Sequence, residues 1–372
     1  MKIARVRQAT QASIALVLLL ALSAAAAGCG GTAHDGNGGG NNGGDPPQGL
    51  TLEQKVGQLF LVGFEGTEVT PEIRQLFEAV HPGGVILFGR NITDEAQLTR
   101  LVADLQELAA ADTGQPLFIA IDQEGGEIVR AGWIGDDTAQ ARIASPQQAY
   151  DLGLARARGL AELGVNLNLA PVLDMGVPGD FLTRYGRTFS GEPQQVGELG
   201  ASAISGQRDG GVLSTAKHFP GYGGIDYDPE NERLAVVPDV PEYSQFLVAA
   251  AAGPELIMTA NVVYTALDPD LPFTLSPSGI AFLREKVDSD YLVISDDLAT
   301  KVLKEAYGLE GTVTRAVKAG VDVLLISGHE AGDVQAAYAA VLEAVRGGGI
   351  AEEVIDERVT SILHLKALGV SP

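Results

Sequence analysis

"GGVILFGRNITDEAQLTRLVADLQELAAADTGQPLFIAIDQEGG", residues 83–126, holds one complete structural unit. Two apolar runs, "GGVILFG" (83–89) and "PLFIAID" (116–122), flank "DEAQLTRLVADLQELAAA" (94–111), whose apolar residues recur at helical spacing. A strand that is apolar throughout is covered on both faces. With a helix as the connection, two such strands lie parallel in one sheet. The pattern repeats in "QLFLVGF" (58–64), "VNLNLAP" (165–171), "GVLSTAKH" (211–218), "LIMTANVV" (256–263), "YLVISDD" (291–297) and "VDVLLIS" (321–327). Between them lie further segments with helical spacing, such as "PQQAYDLGLARARGLAEL" (146–163). Eight strand–helix units in one stretch predict an α/β fold, a (β/α)8 TIM barrel forming a single domain over residues 49–372. A doubly wound open sheet is the other arrangement such units build, but no GxGxxG follows the first strand.

The first 48 residues are set apart by composition. Lys2, Arg5 and Arg7 precede the apolar "ASIALVLLLALSAAAAG", which ends in small residues before Cys29, the sole cysteine. Residues 1–28 read as a signal peptide. A lone cysteine at that point looks like the lipobox of bacterial lipoproteins, whose cysteine is acylated after cleavage. An ordinary secretory signal with an incidental cysteine is the alternative. On the first reading the chain is exported to the cell envelope and held at a membrane, inner or outer, by the lipid on Cys29. Residues 29–48, "CGGTAHDGNGGGNNGGDPPQ", are Gly/Asn-rich and read as a flexible tether.

A formal charge of -23 argues against nucleic acid as a partner, since no basic face exists to follow a phosphate backbone. With Cys29 lipidated, no thiol is left for disulfides or metals.

In a (β/α)8 barrel the chemistry sits at the C-terminal ends of the strands. There the sequence places Asp122 and Glu124 after the third strand and Asp174, Arg184 and Arg187 after the fourth. Lys217 and His218 close the fifth, Asn261 the sixth, and Asp296 and Asp297 the seventh. Asp297 alone reads as a helix cap, and Lys217 alone as a partner for a barrel carboxylate. Gathered at one rim, they read as a site. Carboxylates and cations without a cysteine or histidine cluster suit a polyhydroxylated ligand, because carboxylates accept from adjacent sugar hydroxyls. Metal-assisted hydrolysis is the competing class, but no HxH or HExxH spacing occurs and only His218 falls at a strand end.

Taken in order, "GGVILFGRN", "IDQEGG", "LGVNLNLAPVLDM", "GRTFSGEP", "AKHFPGYG", "MTANVVY" and "VISDDL" resemble glycoside hydrolase family 3, in its β-N-acetylglucosaminidase branch. The resemblance runs from about residue 50 to 368 and implies a barrel that cleaves glycosides with retention and needs no metal or cofactor. It implies Asp296 as nucleophile, with Asp122, Arg130, Arg187, Lys217 and His218 holding the terminal sugar. The expected partner is a GlcNAc-containing glycan, drawn from peptidoglycan or muropeptides. A β-glucosidase or β-xylosidase of the same family is the nearer alternative. Many of those take a catalytic acid from a second domain, so the acid here is expected from the barrel's own loops.

The acid/base is where the chain departs from the branch. The usual "KHFPGHG" is "KHFPGYG", with Tyr222 at the histidine, and the "DSH" of the following loop is "DPE": Asp228, Pro229, Glu230. Glu127 and Asn261 also stand where the branch has arginine and histidine. Three accounts follow. In the first, Glu230 is the acid/base, with Asp228 beside it raising its pKa by like-charge repulsion. In the second, Asp226, Glu232 or no side chain supplies the acid. In the third, the barrel binds glycan without cleaving it. Pro229 is expected to stiffen the loop.

Overall fold

The computed structural model describes residues 49–328, 330 and 332–369. The predicted signal peptide, Cys29 and the tether lie outside the described residues.

Among the described residues ten strands form: β1 (Phe60–Val62), β2 (Gly84–Leu87), β3 (Phe118–Ile121), β4 (Leu167–Asn168), β5 (Leu213–Phe219), β6 (Ala235–Val237), β7 (Leu256–Thr259), β8 (Val262–Tyr264), β9 (Leu292–Ser295) and β10 (Leu324–Ile326). All but β6 and β8 belong to one parallel sheet in the order β10-β1-β2-β3-β4-β5-β7-β9. Its two ends meet where Ile294 bridges Val323 and the Ser295 amide donates to the Val323 carbonyl at 3.0 Å. The expected eight-stranded α/β barrel is therefore the fold.

Helices on the outside follow local signals. Helix Glu95–Asp112 starts where the Asp94 carboxylate accepts from the Gln97 amide at 2.9 Å. Its Leu98, Leu101, Val102, Leu105 and Ala109 are buried on one face. Replacing one of these leucines by alanine costs about 2–5 kcal/mol. Helix Pro146–Glu162 opens on a Ser145 cap with proline in its first turn, and Gly164, at φ +78°, carries the chain away.

Two strands differ from their sequence reading. The run at 165–171 gives only Leu167–Asn168 in regular ladder, because asparagine side chains take over the pairing. The Asn166 amide accepts from the Ile119 backbone at 2.8 Å and donates to the Leu117 carbonyl at 2.9 Å, and Asn168 accepts from the Gln123 backbone at 3.0 Å. The run at 256–263 splits: β7 stays in the barrel, while β8 leaves it to pair in parallel with β6. The Tyr264 hydroxyl of this ribbon donates to the Gly221 carbonyl, just before Tyr222. β6 was not apparent in the sequence, since one apolar triplet after an acidic loop has no strand signature of its own.

Candidate active site

The C-terminal ends of the barrel strands surround a pocket of about 440 Å³. Ile86, Leu169, Met258 and Leu325 line it at the strand ends, and Phe88, Ile128 and Phe181 add apolar surface from the segments beyond them. Its walls carry Asp122, Glu124, Arg130, Arg187, Lys217, His218, Tyr222, Glu230, Asp296 and Asp297. Every sugar-holding residue expected from the sequence thus faces one cavity, as do Asp296 and Glu230.

One side of the pocket is an ion network. Lys217, at the end of β5, lies 2.7 Å from both Asp122 and Glu124. The Arg187 guanidinium donates to both oxygens of Glu124 at 2.9 Å, a two-pronged pairing. Arg130 lies 3.8 Å from Asp122. Glu124 is almost fully buried, 1% exposed. Burial alone would raise its pKa, but Arg187 and Lys217 hold it well below the usual carboxylate range. Burial would likewise lower Lys217, yet Asp122 and Glu124 keep it raised. Both cations are locked charged, with fixed N–H donors for hydroxyls. Glu124 was read at the rim without a role. Its function here is to set Lys217 and Arg187.

Asp174, after β4, organises the next stretch. Its Oδ2 accepts from both the backbone and Nδ1 of His218 at 2.9 Å, and its Oδ1 from the Tyr222 amide at 2.8 Å. Burial opposes its charge, but His218 and these amides keep its pKa lowered. With His218 Nδ1 committed to Asp174, Nε2 is the ring nitrogen left for a ligand. The Lys217–His218 and Phe219–Pro220 peptide bonds are cis.

Asp296 follows β9. Its Oδ1 accepts from the Asp297 amide at 2.9 Å and its Oδ2 from the Tyr222 hydroxyl at 2.5 Å. Asp297 also borders the pocket, and its Oδ1 accepts from the Ala299 and Ser327 amides at 3.0 and 3.1 Å. Asn261, a departure from the branch pattern, donates to the Asp297 carbonyl at 2.9 Å and so braces the same turn. Glu127, another departure, is exposed.

Of the acids on the 226–232 loop, Glu230 alone lines the pocket. Asp226 and Glu232 are exposed, and Glu232 accepts the Asp228 amide at 3.1 Å. Among the described residues no hydrogen bond is donated to the Glu230 carboxyl. Burial, then the charges of Asp296, Asp297 and Asp228 in that order, push its pKa up to about 8. Asp228 thus adds the expected repulsion, though burial, Asp296 and Asp297 act more strongly. Its carboxylate also accepts from the Glu230 and Asn231 amides at 2.9 and 3.2 Å and from the Asn231 side chain at 2.9 Å, capping the turn. The loop is tied at both ends. The Glu230 carbonyl accepts from the Val302 amide at 3.1 Å, just beyond the Asp296 turn, and Arg184 donates to the Asp226 carbonyl. Pro229 is buried.

Fixed cations, a paired histidine and two carboxylates in opposite environments, set at the mouth of a (β/α)8 barrel, are the equipment of a glycoside hydrolase. Comparison with known proteins agrees. The profile of the glycosyl hydrolase family 3 N-terminal domain matches residues 51–365. A β-hexosaminidase of Alkalilimnicola ehrlichii is 35% identical over 298 residues, 72% of this chain and 80% of that one. A family 3 β-N-acetylglucosaminidase structure from Paenibacillus sp. FPU-7 superimposes with a TM-score of 0.80 at 37% identity, over 86% of this chain but only 62% of that one. The β-N-acetylhexosaminidase of Beutenbergia cavernae gives 0.78 at 27% identity, over 86% and 99%. The chain belongs to glycosyl hydrolase family 3.

Proposed function

We propose that this protein is an exo-acting β-N-acetylglucosaminidase that removes terminal β-linked N-acetylglucosamine with retention, using Asp296 as nucleophile and Glu230 as acid/base. The observation that carries this reading is the contrast between two carboxylates lining one pocket. Asp296 receives two hydrogen bonds, while Glu230 receives none and is pushed up to about 8 by burial and its neighbouring carboxylates. Below that value Glu230 carries a proton.

In the first step an Asp296 oxygen attacks the anomeric carbon. The bond to the leaving oxygen breaks, and that oxygen takes the Glu230 proton. Glu230, now a carboxylate, then accepts a proton from water as the water attacks the anomeric carbon. The ester bond to Asp296 breaks, returning its electron pair to the carboxylate. A carboxylate base at this point repels phosphate, which supports water as acceptor. Asp122, Lys217, Arg187, Arg130 and His218 would hold the sugar hydroxyls.

The substrate source that fits this activity, taken with an exported chain, is peptidoglycan or its muropeptide fragments. The N-terminal sequence supports export and anchoring by acylated Cys29, at the inner or the outer membrane. Turnover of an aryl β-N-acetylglucosaminide by the wild type and by Asp296→Ala tests the reading. Activity in the first and its loss in the second are expected. No turnover of any aryl glycoside by the wild type would leave a glycan-binding barrel.

A further inference from the structure

Two carboxylates that face one small pocket cannot both hold their charge cheaply, so something must decide which keeps the proton. We infer that Tyr222 makes that decision: its hydroxyl, donated to Asp296 Oδ2 at 2.5 Å, gives that carboxylate a charge-stabilising partner that Glu230 lacks. The inference rests on the reading of Asp296 as nucleophile and Glu230 as acid, and concerns what sets those roles.

The geometry is specific to this residue. Tyr222 is 5% exposed, and its backbone amide is fixed by Asp174. Its ring packs edge-on against His218, with centroids 5.0 Å apart. The carbonyl before it, Gly221, accepts from the buried Tyr264 hydroxyl. The phenol therefore has one orientation available, aimed at Asp296. Burial first, then the neighbouring charges of Asp296 and Glu230, push its pKa well above the ordinary value, so it remains a donor throughout the working range. The other donor to Asp296 is the Asp297 amide, which the backbone supplies whatever the side chains. Tyr222 is thus the side chain that distinguishes the two acids.

Other charges around the pair do not make this distinction. Asp297 and Asp228 raise Glu230, and Arg187 opposes them. Asp174 and His218, behind Tyr222, are paired with each other. Asp122, Arg130 and Lys217, across the pocket, belong to the Glu124 network.

Tyr222 acts through Asp296 and is a positioning residue, so its test must read more than rate. In Tyr222→Phe the acid limb of the kcat/KM profile on an aryl β-N-acetylglucosaminide is expected to rise by about one to two pH units. That is the loss of one hydrogen bond to a charged group. The alkaline limb, set by Glu230, is expected to stay in place. Hydrolysis of the glycosyl-enzyme is also expected to slow relative to its formation, because Asp296 leaves less readily without the phenol, giving a burst of phenol release. Tyr222→Met, which fills similar space without a donor, supplies the same readings should the Phe variant not fold. Labelling the wild type with a 5-fluoro N-acetylglucosaminyl fluoride, followed by peptide mapping, separates the two levels of the argument. A label elsewhere than Asp296 overturns the reading of the site. A label on Asp296 with an unmoved acid limb in a folded variant overturns the inference about Tyr222.

Discussion

Glu230→Gln removes a proton while keeping side-chain shape, and its consequence can be worked from the pocket. At pH 6 a carboxyl at its ordinary value of 4.5 is about 3% protonated, whereas one at about 8 is about 99% protonated. The surroundings of Glu230 therefore enrich the acid about thirtyfold at pH 6, part of the roughly 10²- to 10⁴-fold that a positioned general acid contributes. The sign follows directly. Activity needs the protonated form, so the wild-type kcat/KM falls as pH rises through about 8, and Glu230→Gln lacks that descent. On an unactivated N-acetylglucosaminyl disaccharide the variant loses about 10²- to 10⁴-fold. On an aryl glycoside with an acidic phenol, the first step needs little protonation and survives. The second step then stalls for want of a base, so phenol appears in a burst. Azide, which needs no base, should restore turnover and yield a β-glycosyl azide. Equal losses on the two substrates, with the alkaline limb intact, would assign the acid to another group and refute this reasoning.

Glu124→Gln leaves the buried Arg187 without its carboxylate partner and Lys217 with Asp122 alone, and is expected to lower stability to denaturant by about 3–5 kcal/mol while raising KM; unchanged stability would mean the network is not tied together by this carboxylate. Asp228→Ala uncaps the turn that presents Glu230 and is expected to slow disaccharide cleavage about tenfold, with Asp228→Asn near wild type because an acceptor oxygen remains; equal defects in both would show that the charge matters instead. Lys366, buried below the barrel with its amine on Gln58 at 2.9 Å and pushed down to about 7 by burial, binds fewer protons folded than unfolded between about 7 and 10.5. Wild-type stability should therefore rise across that window, and Lys366→Met should flatten the rise in pH-resolved denaturation.

The fold was legible because parallel strands buried on both faces leave an unmistakable apolar run, and eight such runs spaced by amphipathic helices admit few architectures. Strand ends were less legible. Asn166 and Asn168 replace ladder hydrogen bonds with side-chain ones at β4, and nothing in a pattern of apolar residues signals that exchange. The rim was legible as a set of polar residues following strands, but not as a circuit. Tyr222 appeared only as a departure from the histidine of the branch, because a sequence does not show that its hydroxyl reaches Asp296 across 74 positions. Asp228 was legible in part: closeness to Glu230 in the chain pointed to the charge repulsion it does supply, but not to its capping of the amide two residues on. The charges that act most on Glu230 come from Asp296 and Asp297, distant in sequence and brought near by the barrel.

A double displacement through Asp296 fixes which anomer is released first. Proton NMR of the protein acting on an aryl β-N-acetylglucosaminide, read before mutarotation, should show β-N-acetylglucosamine appearing ahead of the α-anomer. Initial release of the α-anomer would mean that water attacks the substrate directly, and would contradict a glycosyl-Asp296 intermediate.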